Sequence, residues 1–110
     1  MYYTYMLRCV DGSIYTGITT DLDRRISEHI KKDKKCAKYT LTHDVVKLEC
    51  AWQSENRKMA SKLEYHIKKL TKLQKEELIL KNNLEQLLLN KIDSNKYKNV
   101  KITHQFNIKS

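Results

Sequence analysis

Residues 2–19 read Tyr2-Tyr3-Thr4-Tyr5-Met6-Leu7-Arg8-Cys9-Val10-Asp11-Gly12-Ser13-Ile14-Tyr15-Thr16-Gly17-Ile18-Thr19. Aromatic and β-branched side chains crowd both ends of this stretch, and Asp11-Gly12-Ser13 between them is a turn signal, so it predicts a β-hairpin. Working outward, Thr20 or Asp21 can cap a helix from Leu22 to about Lys32, in which Leu22, Ile26 and Ile30 recur every fourth residue as one buried stripe. Val46, Leu48, Cys50 and Trp52 alternate with Lys47, Glu49 and Ala51, the two-residue period of a third strand with one face on a core. Ser54 is the expected N-cap of a second helix to about Leu70, with Met59, Leu63, Ile67 and Leu70 inward. Thr71 and Gln74 have capping-box spacing, which starts a further helix with Leu73, Leu78 and Ile79 facing the core. Beyond Asn82 the pattern weakens. Leu84, Leu87 and Leu88 suggest a short helical segment, Ser94 to Asn99 a loop, and Val100 to Ile108 either a strand or a disordered tail. The expected fold is α+β: a small three-stranded antiparallel sheet flanked by helices over residues 1–82, with a C-terminal extension, 83–110.

The chain has 110 residues, the size of one small domain. Its 22 Lys and Arg against 13 Asp and Glu leave a net charge of +9, a field that favours polyanions such as nucleic acid over an acidic protein surface. No run approaches the roughly 18 apolar residues of a membrane span, and Met1 to Val10 lacks the apolar core of a secretory signal. A soluble, cytoplasmic protein is expected. Cys9, Cys36 and Cys50 form no C-x-x-C pair, which argues against structural zinc. Cys9 and Cys50 read as small buried hydrophobes, and Cys36, among lysines, as an exposed thiol. The lysine-rich run Lys31 to Lys38 reads as a solvated loop.

The order hairpin, helix, strand, helix distributes a small reactive set: Tyr5 and Tyr15, then Arg25 and His29, then Glu64. Here the chain resembles the GIY-YIG nuclease superfamily, in its short single-domain bacterial branch. Tyr3-Thr4-Tyr5 is similar to the first signature tripeptide and Tyr15-Thr16-Gly17 to the second, with only the tyrosines and Gly17 retained. Asp21-Leu22-Asp23-Arg24-Arg25 with His29, then Lys38-Tyr39-Thr40, then Leu63-Glu64-Tyr65-His66-Ile67-Lys68-Lys69-Leu70 follow in the same order. The resemblance spans about residues 2–81 and leaves 83–110 outside, as a packing element or a nucleic-acid arm. It implies a metal-dependent DNA nuclease of the repair or processing type, acting on single-stranded or structured DNA, with Tyr15 as general base and Tyr5 positioning the water or phosphate.

Strand parity bears independently on the tyrosines. A three-residue hairpin loop puts Tyr5 and Tyr15 on one face of the sheet, whereas a two-residue loop puts them on opposite faces unless a bulge intervenes. The functional reading therefore requires an odd loop or a bulge. Gly17 would either open room for a phosphate or metal or merely tolerate twist.

Arg25 and His29, four residues apart, share one side of their helix. Arg25 offers a permanently charged donor fork to phosphate. His29 reads as proton relay, phosphate ligand or border of the buried stripe. Glu64, amid Lys62, Lys68 and Lys69, can hold one Mg²⁺ or Mn²⁺ with water and substrate oxygens, or simply pair with Lys68. A two-metal site lacks the carboxylates. A free tyrosine is phenolate in roughly one molecule in a thousand at pH 7, a handicap of about 4 kcal/mol, which Arg25 and a bound cation are expected to offset. Grip on DNA is expected from Lys34, Lys35, Lys38, Lys68 and Lys69, with Lys72 and Lys75, through phosphate contacts without base specificity. Tyr39 can stack on an unpaired base. The competing readings are a catalytically inactive nucleic-acid-binding module of the same fold and a helical adapter built on Leu70 to Leu89.

Overall fold

The computed structural model describes residues 1–31 and 43–102. Strand β1 (Tyr2–Cys9) turns back into β2 (Ile14–Thr19), and helix α1 (Leu22–Lys31) follows. Strand β3 (Val45–Ser54), helices α2 (Arg57–Lys68), α3 (Lys72–Lys81) and α4 (Leu84–Leu87), a 3-10 turn (Ser94–Lys96) and the two-residue strand β4 (Lys98–Asn99) complete the order. The strands form one antiparallel sheet in the order β2-β1-β3-β4. The expected three-stranded sheet flanked by helices is present, and the extension adds β4 at its edge.

The hairpin loop sits one residue earlier than its turn signal suggested. The Cys9 amide donates to the Ser13 carbonyl and the Gly12 amide to the Cys9 carbonyl, so the loop is Val10–Gly12, three residues long. Gly12 has φ +86°, the left-handed conformation that such a loop requires and that glycine adopts without strain. The loop length is odd, and the register pairs Tyr5 with Gly17 and Leu7 with Tyr15, which leaves both tyrosines on one face.

The sheet is buried on both sides. On one face Met6, Cys50 and Trp52 pack with Leu63 and Ile67 of α2, Leu78 of α3, and Leu84, Leu88 and Tyr97. On the other, Tyr5, Leu7, Cys9, Val45, Leu48 and Ala51 pack against Ile26 of α1. Leu48 and Cys50 thus lie on opposite faces, against the single-face alternation expected for β3. Register shifts opposite Met6/Leu7 and Arg8/Cys9 insert extra residues into β3, and each shift reverses which face a given parity serves. Cys9 and Cys50 are buried as expected, and burial pushes the Cys50 thiol up to about 12. Cys36 lies outside the described residues.

Ser54 ends β3 instead of capping α2. The cap is Asn56, whose side chain accepts from the Met59 amide, and this moves the helix start two residues on. Thr71 and Gln74 form the reciprocal capping box that their spacing called for. Leu73, however, is 80% exposed while Leu78 is 0% exposed. Five residues of helix rotate a side chain through roughly 140° from its starting direction, so the two cannot share the core face. From the stretch beyond Asn82, Tyr97 donates its hydroxyl to the Met59 carbonyl at 2.7 Å, and the Val100 amide donates to Ala51. No helix among the described residues is long and apolar enough to cross a membrane.

Candidate active site

Because β2 is an edge strand and both tyrosines project from the face that carries α1, their rings meet the first helix at the rim of the sheet. The Tyr5 and Tyr15 ring centroids are 6.3 Å apart, and His29 stands 5.8 Å from the first and 5.3 Å from the second. The Tyr5 hydroxyl is hydrogen-bonded to His29 Nε2 at 2.8 Å. Gly17 is the cross-strand partner of Tyr5, and a Cβ there would lie 2.6 Å from the Tyr5 hydroxyl and 2.8 Å from its Cζ. The space over Gly17 is therefore filled by the Tyr5 phenol. It is neither room for a phosphate nor a mere tolerance of twist.

Tyr5 is 0% exposed and His29 1%. Both side chains are therefore enclosed by the domain, and they make a polar contact there with each other. Burial and then the Arg25 charge hold the His29 imidazole down at about 4, so it is neutral at physiological pH.

Arg25, one turn before His29 on α1, acts on both phenols as positive charge and hydrogen-bond donor. Burial nevertheless dominates: it raises both tyrosines above the ordinary range, Tyr5 further with help from Tyr15, and Tyr15 against Lys68 and Arg25. The expected stabilisation of phenolate by Arg25 is thus present but outweighed.

Glu64 comes from α2, on the opposite face, and reaches the same rim. Its carboxylate acts electrostatically on both phenols, and its side chain is 23% exposed. Lys68 Nζ pairs with it at 3.2 Å and also lies 5.9 Å from the Tyr15 ring centroid. The i,i+4 pair read as the bland alternative for Glu64 therefore exists, and it exists within the site. Lys68 belongs to this cluster and not simply to a phosphate-gripping face.

One residue of the cluster, Glu28, escaped the sequence reading. Glu28 is buried, accepting from Arg25 at 2.8 Å and from Arg24 at 3.4 Å, and so fixes the guanidinium that faces the phenols. Its position three residues after Arg25 and four after Arg24 was the available signal. Of the lysines expected to grip DNA, Lys69 sits over the exposed Tyr65 ring at 5.1 Å. Lys72 is engaged instead with Glu76 and the Gly12 carbonyl, next to the Arg8–Glu76 and Arg8–Glu49 pairs. Lys34, Lys35, Lys38 and Tyr39 lie outside the described residues.

No group of three or more His, Cys, Asp or Glu among the described residues could hold a metal ion. A single partly exposed carboxylate that already pairs with a cation fits one hard divalent ion completed by water and substrate oxygens. It does not fit a two-metal arrangement.

A two-tyrosine hairpin that closes on an arginine and a histidine of the next helix, with a glutamate from the helix after β3, defines the GIY-YIG nuclease class. The model of the GIY-YIG catalytic domain matches residues 1–78, and the chain belongs to this family. Within it, the chain is 50% identical over 80 residues to UPF0213 protein FN1575 of Fusobacterium nucleatum, covering 73% of this chain and 78% of that one. It is 38% identical over 98 residues to UPF0213 protein YhbQ of Salmonella typhimurium, covering 89% and 96%. The solution NMR structure of UPF0213 protein BH0048 from Bacillus halodurans shares 37% identity over 82% of this chain and 96% of that one, with a TM-score of 0.44. These relatives are short, single-domain bacterial proteins.

Proposed function

We propose that this protein is a divalent-metal-dependent nuclease that hydrolyses phosphodiester bonds in single-stranded or structured DNA, in a repair or processing role. The observation that carries the reading is the meeting of Tyr5, Tyr15 and His29 within 6.3 Å of one another, with Arg25 and Glu64 both acting on the two phenols. Residues separated by some sixty positions converge beside the edge strand β2, where the half-buried Tyr15 and the partly exposed Glu64 are open to a phosphate.

In this reading Arg25, fixed by Glu28, receives the scissile phosphate and offsets the charge that develops on it. Tyr15, the more accessible phenol, takes the proton of the attacking water. Tyr5 is a positioning residue: with Gly17 beneath its ring and His29 on its hydroxyl, it holds Tyr15 and Arg25 in place. Glu64 would hold Mg²⁺ or Mn²⁺, which supplies Lewis-acid polarisation of a nonbridging oxygen and stabilises the leaving 3′-oxyanion. With Tyr15 raised by burial, phenolate is scarce at neutral pH, and turnover rises with pH above 7.

The test is a fluorescent single-stranded DNA oligonucleotide with Mg²⁺ or Mn²⁺. Wild-type protein should cleave it and stop on addition of chelator. Glu64→Gln and Tyr15→Phe should lose turnover while keeping DNA affinity within a few-fold. Binding by the wild type without cleavage, indifferent to chelator, would instead favour an inactive nucleic-acid-binding module. Cleavage by Tyr15→Phe at the parental rate would remove Tyr15 as the base.

A further inference from the structure

Arg25 has a second outlook. Besides facing the phenols it lines an open groove of about 320 Å³ between α1 and the start of α2, which Arg24, Arg57, Tyr2 and Thr20 also line. That volume is at the lower end of the roughly 300–1,000 Å³ of small-molecule sites, enough for a nucleotide-sized group. Three guanidiniums face one carboxylate there, and this carboxylate, Glu28, is already shared by Arg24 and Arg25. Arg57, the first residue of α2, has no ion-pair partner among the described residues. The groove therefore carries an excess of fixed positive charge, with an aromatic side chain in its wall.

We propose that this groove is a subsite for the phosphodiester adjacent to the scissile one on the same DNA strand, with Arg57 as its clamp. The proposal rests on the nuclease reading above. Arg25 is common to the groove and the catalytic cluster, so an anion held by Arg57 is the next charge along from the one held beside Tyr15. A polyanion with a charge at every step suits such a pair of neighbouring cationic sites, and Tyr2 offers a surface for the intervening sugar or base.

Arg57→Gln is the decisive variant, since Arg57 is exposed and contributes to neither core. Affinity for a single-stranded oligonucleotide is measured with chelator present over a series of salt concentrations. Loss of one phosphate contact should lower the slope of log affinity against log salt by about 0.7, which is about fivefold weaker binding at 0.1 M salt. Separately, in an oligonucleotide whose cleavage position has been mapped, one neighbouring phosphate is replaced by a neutral methylphosphonate. On one side of the cut this should slow the wild type and leave Arg57→Gln no slower than it already is. An unchanged salt slope, or a variant that stays as sensitive to both neighbouring methylphosphonates as the wild type, overturns the subsite while wild-type cleavage leaves the nuclease reading standing. A wild type that neither binds nor cleaves DNA removes both.

Discussion

Gly17 carries the geometry of the two tyrosines, because the phenol of its cross-strand partner lies directly over its Cα. A methyl group at 2.6 Å from the Tyr5 hydroxyl cannot be relieved cheaply, since Tyr5 is fully buried in the α1-side core. Gly17→Ala should therefore destabilise the protein by about 1–3 kcal/mol in denaturant unfolding and displace the Tyr5 and His29 ring resonances. His29 supplies a second prediction at this scale. Its folded value of about 4 lies below the ordinary 6.5, so the folded state resists the proton that the unfolded chain accepts. Its contribution is complete above pH 6.5 and is lost as pH falls toward 4, by about 2 kcal/mol between pH 6.5 and 5. His29→Gln should flatten this part of the stability profile; His66, also shifted down, contributes equally to both proteins and cancels in the comparison. The identities of Tyr5, Tyr15, Arg25 and Glu64 were legible as residues. That Tyr5 and His29 are buried was not, because burial depends on what packs over a side chain and not on its neighbours in sequence.

At the scale of elements, local signals worked where the relevant interaction is local. The Thr71–Gln74 capping box closes within four residues, and Thr71→Ala should cost about 1 kcal/mol in thermal or chemical unfolding. Helix α3 also shows where the reading fell short. Leu78→Ala should cost about 2–5 kcal/mol, whereas Leu73→Gln should change stability by less than about 0.5 kcal/mol, as the same unfolding measurements would show. Four apolar residues in ten cannot specify a helix face unless their angular spacing is counted, and Leu73 fails that count. In β3 the alternation of Val46, Leu48, Cys50 and Trp52 is real, yet the bulges send Leu48 and Cys50 to opposite faces. A sheet buried on both sides accepts apolar residues at either parity, so the pattern alone does not reveal a one-residue slip.

For the whole molecule, the stretch after Asn82 is the instructive part. Leu84, Leu88 and Tyr97 share one core with Met6, Trp52 and Leu63, β4 pairs with β3, and Val100 and Ile102 reach the other core. A chain ending at Asn82 would strip Leu84, Leu88 and Tyr97 from the core that holds Trp52 and Leu63, and should melt at lower temperature and less cooperatively than the full protein, as calorimetry or circular dichroism would show. The amino-acid sequence by itself determined the hairpin, the helices, the excess of positive charge and the family, since each rests on residues close in the chain or on composition. Only the tertiary structure decided that two helices from opposite faces of a sheet meet beside β2, so that the local pairs Glu28–Arg25 and Lys68–Glu64 stand next to the same two phenols. These follow from chain reversals and packing over tens of residues, where the free energy depends on which surfaces exclude water together, a property that no short window of sequence contains.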